Sequence, residues 1–213
     1  VKVALPRPFI SNNTTHRSAT LQRVRIGAER DGRIKAISHE SWSGDLPGGG
    51  PETATSQTQL LYGSPTIATR LRLAELDLPE GNAMRAPGEA PGMMVLEIAM
   101  DEMAEKLGMD PVAFRVMNDT KVDPMNPERP FSQRQLVRCL QEGAERFGWS
   151  RRAAPGVTQD GRWLVGMGVA AAFRNNMNMT SAARVRLSAD GRVTVETLSL
   201  IHISEPTRLL SIS

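Results

Sequence analysis

Apolar and polar residues alternate through LQRVRIGAERDGRIKAISHESW, from Leu21 to Trp42, on either side of Asp31-Gly32. That dipeptide suits the positive-φ positions of a two-residue turn, so the segment predicts two antiparallel strands. A second period-two run, IATRLRLAELDL from Ile67 to Leu78, predicts a strand that reaches the turn-forming Pro79-Glu80-Gly81-Asn82. Between them, Ser43 to Pro65 is rich in Gly, Pro, Ser and Thr, carries three glycines at Gly48 to Gly50, and is expected to be a loop. The opening VKVALPRPFI reads as a strand. After a linker at Pro155 to Gly161, RWLVGMGVAAAF is expected to end as a strand near Arg174, and ARVRLSADGRVTVET, with Asp190-Gly191 at its turn, as a hairpin.

The period changes after Met84. Met93, Leu96, Met100, Met103 and Leu107 recur at spacings of three and four, with Glu97, Asp101, Glu102, Glu105 and Lys106 on the other side. This predicts an amphipathic helix stopped by Gly108. Asp110-Pro111 supplies an N-cap and a first-turn proline for a short helix through Met117. Ser132 is expected to cap a third helix, with Leu136, Val137, Leu140, Ala144 and Phe147 on its face and Gly148 at its end. Strands, then helices, then strands argue an α+β (mixed α/β) class. The methionines fall mostly on helix faces, where they fill core.

Composition narrows the function classes. At 213 residues the chain has enough material for one domain or one and a half, and no apolar run approaches the roughly 20 residues that span a bilayer. No membrane insertion is therefore expected. A single cysteine, Cys139, leaves no internal disulfide. The net charge of +3 comes from scattered arginines, so no nucleic-acid partner is expected.

The best candidate for chemistry is MRAPGEAPG, Met84 to Gly92, where two prolines and two glycines restrict a strand-to-helix junction. The following helix directs its unpaired N–H groups back toward it, a setting that attracts anions. Arg85 adds a planar fork able to grip a phosphate, a carboxylate or a developing oxyanion. By composition alone the same stretch also reads as an ordinary connection with a solvated arginine. Glu89 suits the helix dipole in the first turn better than a general base. His16-Arg17 is a polar patch without a metal-ligand spacing, and Arg174, Asn175 and Asn176 either line a site or form an asparagine turn. No metal-ligand residue is expected, and phosphate-loop, zinc and serine-nucleophile motifs have no suitable setting.

From MRAPGEAPGMMVLEIAMDEMAEKLGMDPVAFR, Met84 to Arg115, the sequence resembles the molybdenum-cofactor-binding large subunit of the xanthine dehydrogenase and aldehyde oxidoreductase family. The likeness extends through THRSATLQRVRIGAERDGRIKAISHES, ERFGWSRR, GRWLVGMGVAAAFRNN and ARVRLSADGRVTVET, and AAAFRNN and VTVET are most similar to the bacterial periplasmic aldehyde oxidoreductase branch. The resemblance implies a hydroxylase acting on an aldehyde or N-heterocycle with water-derived oxygen at a molybdenum centre held by molybdopterin cytosine dinucleotide. It implies electron transfer to iron–sulfur and FAD partner subunits, and a bacterial cytoplasmic or periplasmic location, the latter by export with a partner. Arg85 then faces the substrate side of the metal, and Ala86, Pro87 and Gly88 lie against the cofactor. Residues 1–150 correspond to part of a first molybdopterin-binding domain and 151–197 to the start of a second. A different class, a non-catalytic nucleotide-binding or maturation module, would use the same helix N-terminus for a phosphate.

Val1 opens directly into VKVALPRPFI, which reads as a cut, and the chain is expected to be a middle piece of a larger subunit, inactive by itself. The family's general base, a glutamate near the end of the full subunit, has no counterpart among these residues. LSLIHISEPTRLLSIS, residues 198–213, resembles translated sequencing adapter and is expected to be a non-native tail.

Overall fold

The hairpin forms where the alternation places it. In the computed structural model, which describes residues 2–174 and 182–198, β1 (Thr20–Ala28) pairs antiparallel with β2 (Ile34–Asp45) around Gly32, at φ 94°. The Asp31 carboxylate accepts the Arg33 N–H at 3.0 Å and fixes the turn. β3 (Thr66–Glu75) then joins the other edge of β2 in parallel, with Ala36 opposite Thr66 and Asp45 opposite Glu75. A parallel neighbour requires the intervening chain to cross over, and residues 46–65 do so.

That crossover is packed. β2 itself runs on to Asp45, Ser56–Gln59 form a 3-10 turn, and Ala54, Leu61 and Tyr62 are fully buried. The expected loop from Ser43 to Pro65 is thereby corrected: its glycines and prolines bend it, while Leu61 and Tyr62 anchor it in the core. α2 (Glu89–Leu107) lies over the sheet's inner face, with Leu96, Met100 and Ala104 buried against Ile34 and Ile37 and with Val24, Ile26, Met93 and Met103 around them. The predicted face holds, and Gly108 closes the helix in the left-handed conformation, φ 66°. α3 (Pro111–Met117) is capped by Asp110, whose carboxylate accepts from Val112 and Ala113 at 2.9 Å. Asn118, just beyond α3, ties that end to the hairpin by accepting the Ile34 N–H at 2.9 Å and donating to the Gly32 carbonyl at 3.0 Å.

Three local expectations change. The opening residues form α1 (Arg7–Asn13), because Pro6 and Pro8 preset helical φ and lack the N–H a ladder needs. After the short pair β4 (Val122–Asp123) and β5 (Asn126–Pro130), α4 (Leu136–Phe147) has Gln135 rather than Ser132 at its N-cap and leaves Phe147 exposed; among its residues only Leu140 is buried. In RWLVGMGVAAAF, only β7 (Trp163–Leu164) pairs, with β6 (Gln159–Asp160); residues 165–174 run on without ladder partners among the described residues. By compactness the chain divides after Arg174. In the second unit, β8 (Ala182–Leu187) and β9 (Val193–Leu198) form the expected hairpin around Gly191, at φ 80°. Asn175, Asn176 and residues 199–213 lie outside the described residues.

One buried histidine stitches these layers together. Gln22 donates through Nε2 to the Pro91 carbonyl in the first turn of α2 at 3.2 Å, which turns its Oε1 toward His39 Nε2 at 2.9 Å. Pro91 can only accept, so Nε2 of His39 carries the proton and Nδ1 accepts from the Thr58 hydroxyl at 2.6 Å. Burial lowers the His39 pKa to about 4. In the unfolded chain a histidine titrates near 6.5, so between pH 6.5 and 4 the unfolded state binds a proton that the folded state refuses. Stability is therefore retained above 6.5 and falls as pH drops through that window. Urea midpoints at pH 7 and 4.5 should show a larger acid loss for the native chain than for His39→Gln, and equal losses would exclude this role.

Candidate functional site

The junction after β3 is pinned before it turns into α2. Gly81 donates to the Asp45 carboxylate at 2.8 Å, and Asn82 donates to the His16 carbonyl at 2.9 Å. The Gly81 and Leu46 N–H groups hold the Asp45 carboxyl below the usual carboxylate range. The loop thus hangs from β2 on one side and from the segment after α1 on the other.

Residues 85–88 are held by two side chains of opposite charge. The Arg17 guanidinium donates to the carbonyls of Arg85 and Ala86, the latter at 3.2 Å. The Glu52 carboxylate accepts the Gly88 N–H at 2.5 Å and lies 3.6 Å from Arg17. With the Arg85 carbonyl turned inward, the trans peptide directs the Ala86 N–H to the opposite side. Ala86 sits at φ 53°, a region a residue with a Cβ enters at a cost and keeps only where its surroundings insist. Gly88, at φ 73°, has no room for a side chain: a Cβ would stand 2.4 Å from the Thr53 carbonyl oxygen. One turn on, a Cβ on Gly92 would stand 1.7 Å from the Ala54 carbonyl oxygen, so α2 rests directly on the crossover backbone.

Beside this loop is a cleft of about 250 Å³ lined by Ser18, Gly50, Glu52, Thr53, Asn82 and Pro87 among others. Of the residues expected at the site, Pro87 lines the cleft, Gly88 is buried behind it, Ala86 is half-buried and Arg85 is exposed. Glu89 is buried in the first turn of α2, in keeping with a helix-dipole role, and its Oε1 is 3.9 Å from Arg174 Nε. The structure thus brings Arg174 to the start of α2. His16 contributes its backbone, whereas Arg17 beside it is the clamp. Glu52 was not foreseen; its only sequence signal is a lone carboxylate within GGGPETAT.

A clamped loop at the mouth of a 19-residue helix, with the Arg17 guanidinium behind it and a small cleft alongside, defines an α+β domain organised around one loop–helix junction. The chain belongs to the molybdopterin cofactor-binding domain family, whose model matches residues 1–119. It is 67% identical over 198 residues to the aldehyde oxidoreductase molybdenum-binding subunit PaoC of Escherichia coli K12, covering 92% of this chain and 27% of that protein. It is 30% identical over 212 residues to the putative xanthine dehydrogenase molybdenum-binding subunit XdhA of the same organism, covering 92% of this chain and 28% of that one. The aldehyde oxidoreductase structure from Desulfovibrio desulfuricans matches in fold with a TM-score of 0.59 at 24% identity, covering 87% of this chain and 21% of that chain. The chain therefore spans little more than a quarter of the length of the curated relatives it matches.

The residues present fit one wall of a molybdopterin site. The Glu52 carboxylate that would repel a phosphate is offset by Arg17 and the Gly88 N–H, and a Cβ added to Gly50 at the cleft would meet no atom within 4 Å, which leaves room at the rim.

Proposed function

We propose that this chain forms part of the molybdenum-binding subunit of a hydroxylase that oxidises aldehydes or N-heterocycles with water-derived oxygen. For an aldehyde the balance is one aldehyde and one water to one carboxylic acid, two protons and two electrons. The observation that carries the reading is the Arg17–Glu52 clamp on residues 85–88, which presets the loop matched by the family model. Its likeness to an aldehyde oxidoreductase subunit favours catalysis over a nucleotide-binding or maturation module. The bound molybdenum cofactor, in its cytosine dinucleotide form, supplies the two-electron oxidation, and iron–sulfur and FAD subunits carry the electrons away. Residues 1–150 belong to a first molybdopterin-binding domain and 151–197 to a second.

This chain's residues bind and orient. Arg17 and Glu52 hold the loop against the thermal motion that would blur it. Ala86 and Pro87 give a surface with little side-chain bulk toward the cofactor, and Gly88 behind them keeps the turn tight against Thr53. Arg85 offers its guanidinium to the negative charge that develops on the substrate's oxygen or ring nitrogen. The full-length protein, assembled with its partners, should contain molybdenum and release cytidine monophosphate on acid hydrolysis, and should oxidise aldehydes or N-heterocycles. Protein free of molybdenum that binds nucleotide would reverse the assignment.

A further inference from the structure

The outer face of the three-stranded sheet carries a charge pattern that the proposed site does not use. Alternation turns Arg23 and Arg25 of β1, Glu40 and Trp42 of β2, and Arg70 and Arg72 of β3 away from the buried inner face. The register sets Arg23, Glu40 and Arg70 in one row across the strands, with Trp42 and Arg72 side by side in the next. The Arg23 and Arg72 guanidiniums each stand 5.7 Å from the Trp42 ring centroid, flanking it with cations. Glu40 Oε1 lies 3.6 Å from Arg72 and 3.9 Å from Arg70. The Arg70 and Arg72 side chains remain 62% and 44% exposed, so Glu40 engages them without covering them.

Arg23, Arg70 and Arg72 surround one carboxylate on strands about 4.8 Å apart, within roughly one Debye length (about 10 Å at 0.1 M salt), so they act on a neighbour as a single positive patch, with Arg25 at its edge. A nucleic acid or an anionic membrane would meet a fixed carboxylate at the centre of the patch, and a few guanidiniums give a phosphate backbone little counterion release. Carboxylates on a protein surface fit better. They accept the planar fork two bonds at a time, the half-buried Trp42 gives an apolar centre, and tryptophan and arginine are the residues that dominate protein interfaces.

We propose that this sheet face is the docking surface for an acidic surface of a partner protein subunit, centred on Trp42 and gripped by Arg23, Arg25, Arg70 and Arg72. The proposal rests on the reading that the whole enzyme has several subunits. In the assembled full-length enzyme, Arg23→Glu/Arg70→Glu should weaken association with the partner subunits on the order of tenfold at low salt and flatten its salt dependence, while molybdenum content stays normal. Glu40→Gln should tighten association, a gain that misfolding cannot mimic. Phenylglyoxal should modify the four arginines in the isolated full-length subunit and not in the complex. Assembly indifferent to both variants would overturn the docking surface, as would arginines already protected in the isolated subunit. Loss of nucleic-acid or anionic-vesicle binding with assembly intact would assign the patch to that polyanion instead. If the double variant does not fold, absence of any gain with Glu40→Gln is sufficient to reject it. A cofactor-loaded full-length protein that has no partner subunit would refute the multi-subunit reading itself.

Discussion

Alanine at position 85 should leave the full-length enzyme with near-normal molybdenum content and lower its turnover by roughly two to three orders of magnitude. The expectation follows from how residues 85–88 are held. Arg17 grips the backbone carbonyls of Arg85 and Ala86, and Glu52 grips the Gly88 N–H; neither contact uses the Arg85 side chain. Truncating that side chain therefore removes a cation and leaves the Arg17 and Glu52 contacts to the loop backbone in place. A preorganised donor aimed at developing negative charge is worth about 2.7–4 kcal/mol when removed from other enzymes, because water must reorganise to replace it. Arg85→Lys should recover only a small part, since a point charge cannot offer two parallel donors. The loss should appear in kcat more than in KM, because the charge is greatest in the transition state. Unchanged turnover in the alanine variant would show Arg85 to be a solvated loop residue.

What could be read from the sequence was whatever is decided locally. The hairpin turn at Gly32, the Leu96–Met100 stripe and the Asp110 cap each depend on residues within a few positions of one another, and each stands where the pattern put it. The parallel pairing of β3 with β2 spans a crossover, and no pair of neighbouring residues encodes it. Charge misled the reading more than distance did. Glu97 falls on the side of α2 that carries Asp101 and Glu105, and so looked solvated, yet it is 4% exposed. Its partner, Arg115, comes from another helix and is fully buried. Carboxylates and guanidiniums are almost never this buried unless paired, and pairing is a tertiary fact. At the site, the Pro/Gly loop could be seen in the sequence, but Arg17 and Glu52, which hold it, lie 68 and 36 positions away from their backbone partners.

That buried pair is where a single substitution should do most damage to the fold. Arg115 Nε donates to Glu97 Oε2 at 2.8 Å, its Nη2 donates to the Glu97 carbonyl at 3.1 Å, and its Nη1 lies 2.7 Å from Asp101 Oδ1. The Tyr62 hydroxyl donates to Glu97 Oε1 at 2.6 Å, and the Ala171 N–H to Oε2 at 2.7 Å. Burial works against the charge of Arg115, but the Glu97 carboxylate outweighs it and raises its pKa. Burial, then Glu97, push the Tyr62 hydroxyl pKa up as well, so it stays a donor. Arg115→Met keeps the volume and strands a carboxylate in the core, a change that typically costs about 3–5 kcal/mol. Hydrogen exchange of the α2 and α3 amides should accelerate by at least two orders of magnitude. Adding Glu97→Gln should restore part of the protection, because the amide oxygen still accepts one donor and no charge is left unpaired. A double variant worse than Arg115→Met would show that Glu97 tolerates burial without its cation. The loss should also reach the site, since Glu97 holds Ala171 and the same segment brings Arg174 to Glu89 at the start of α2. Slower turnover in Arg115→Met at full molybdenum content would be the mark of that route, and Glu97→Gln should restore it in step with the exchange rates.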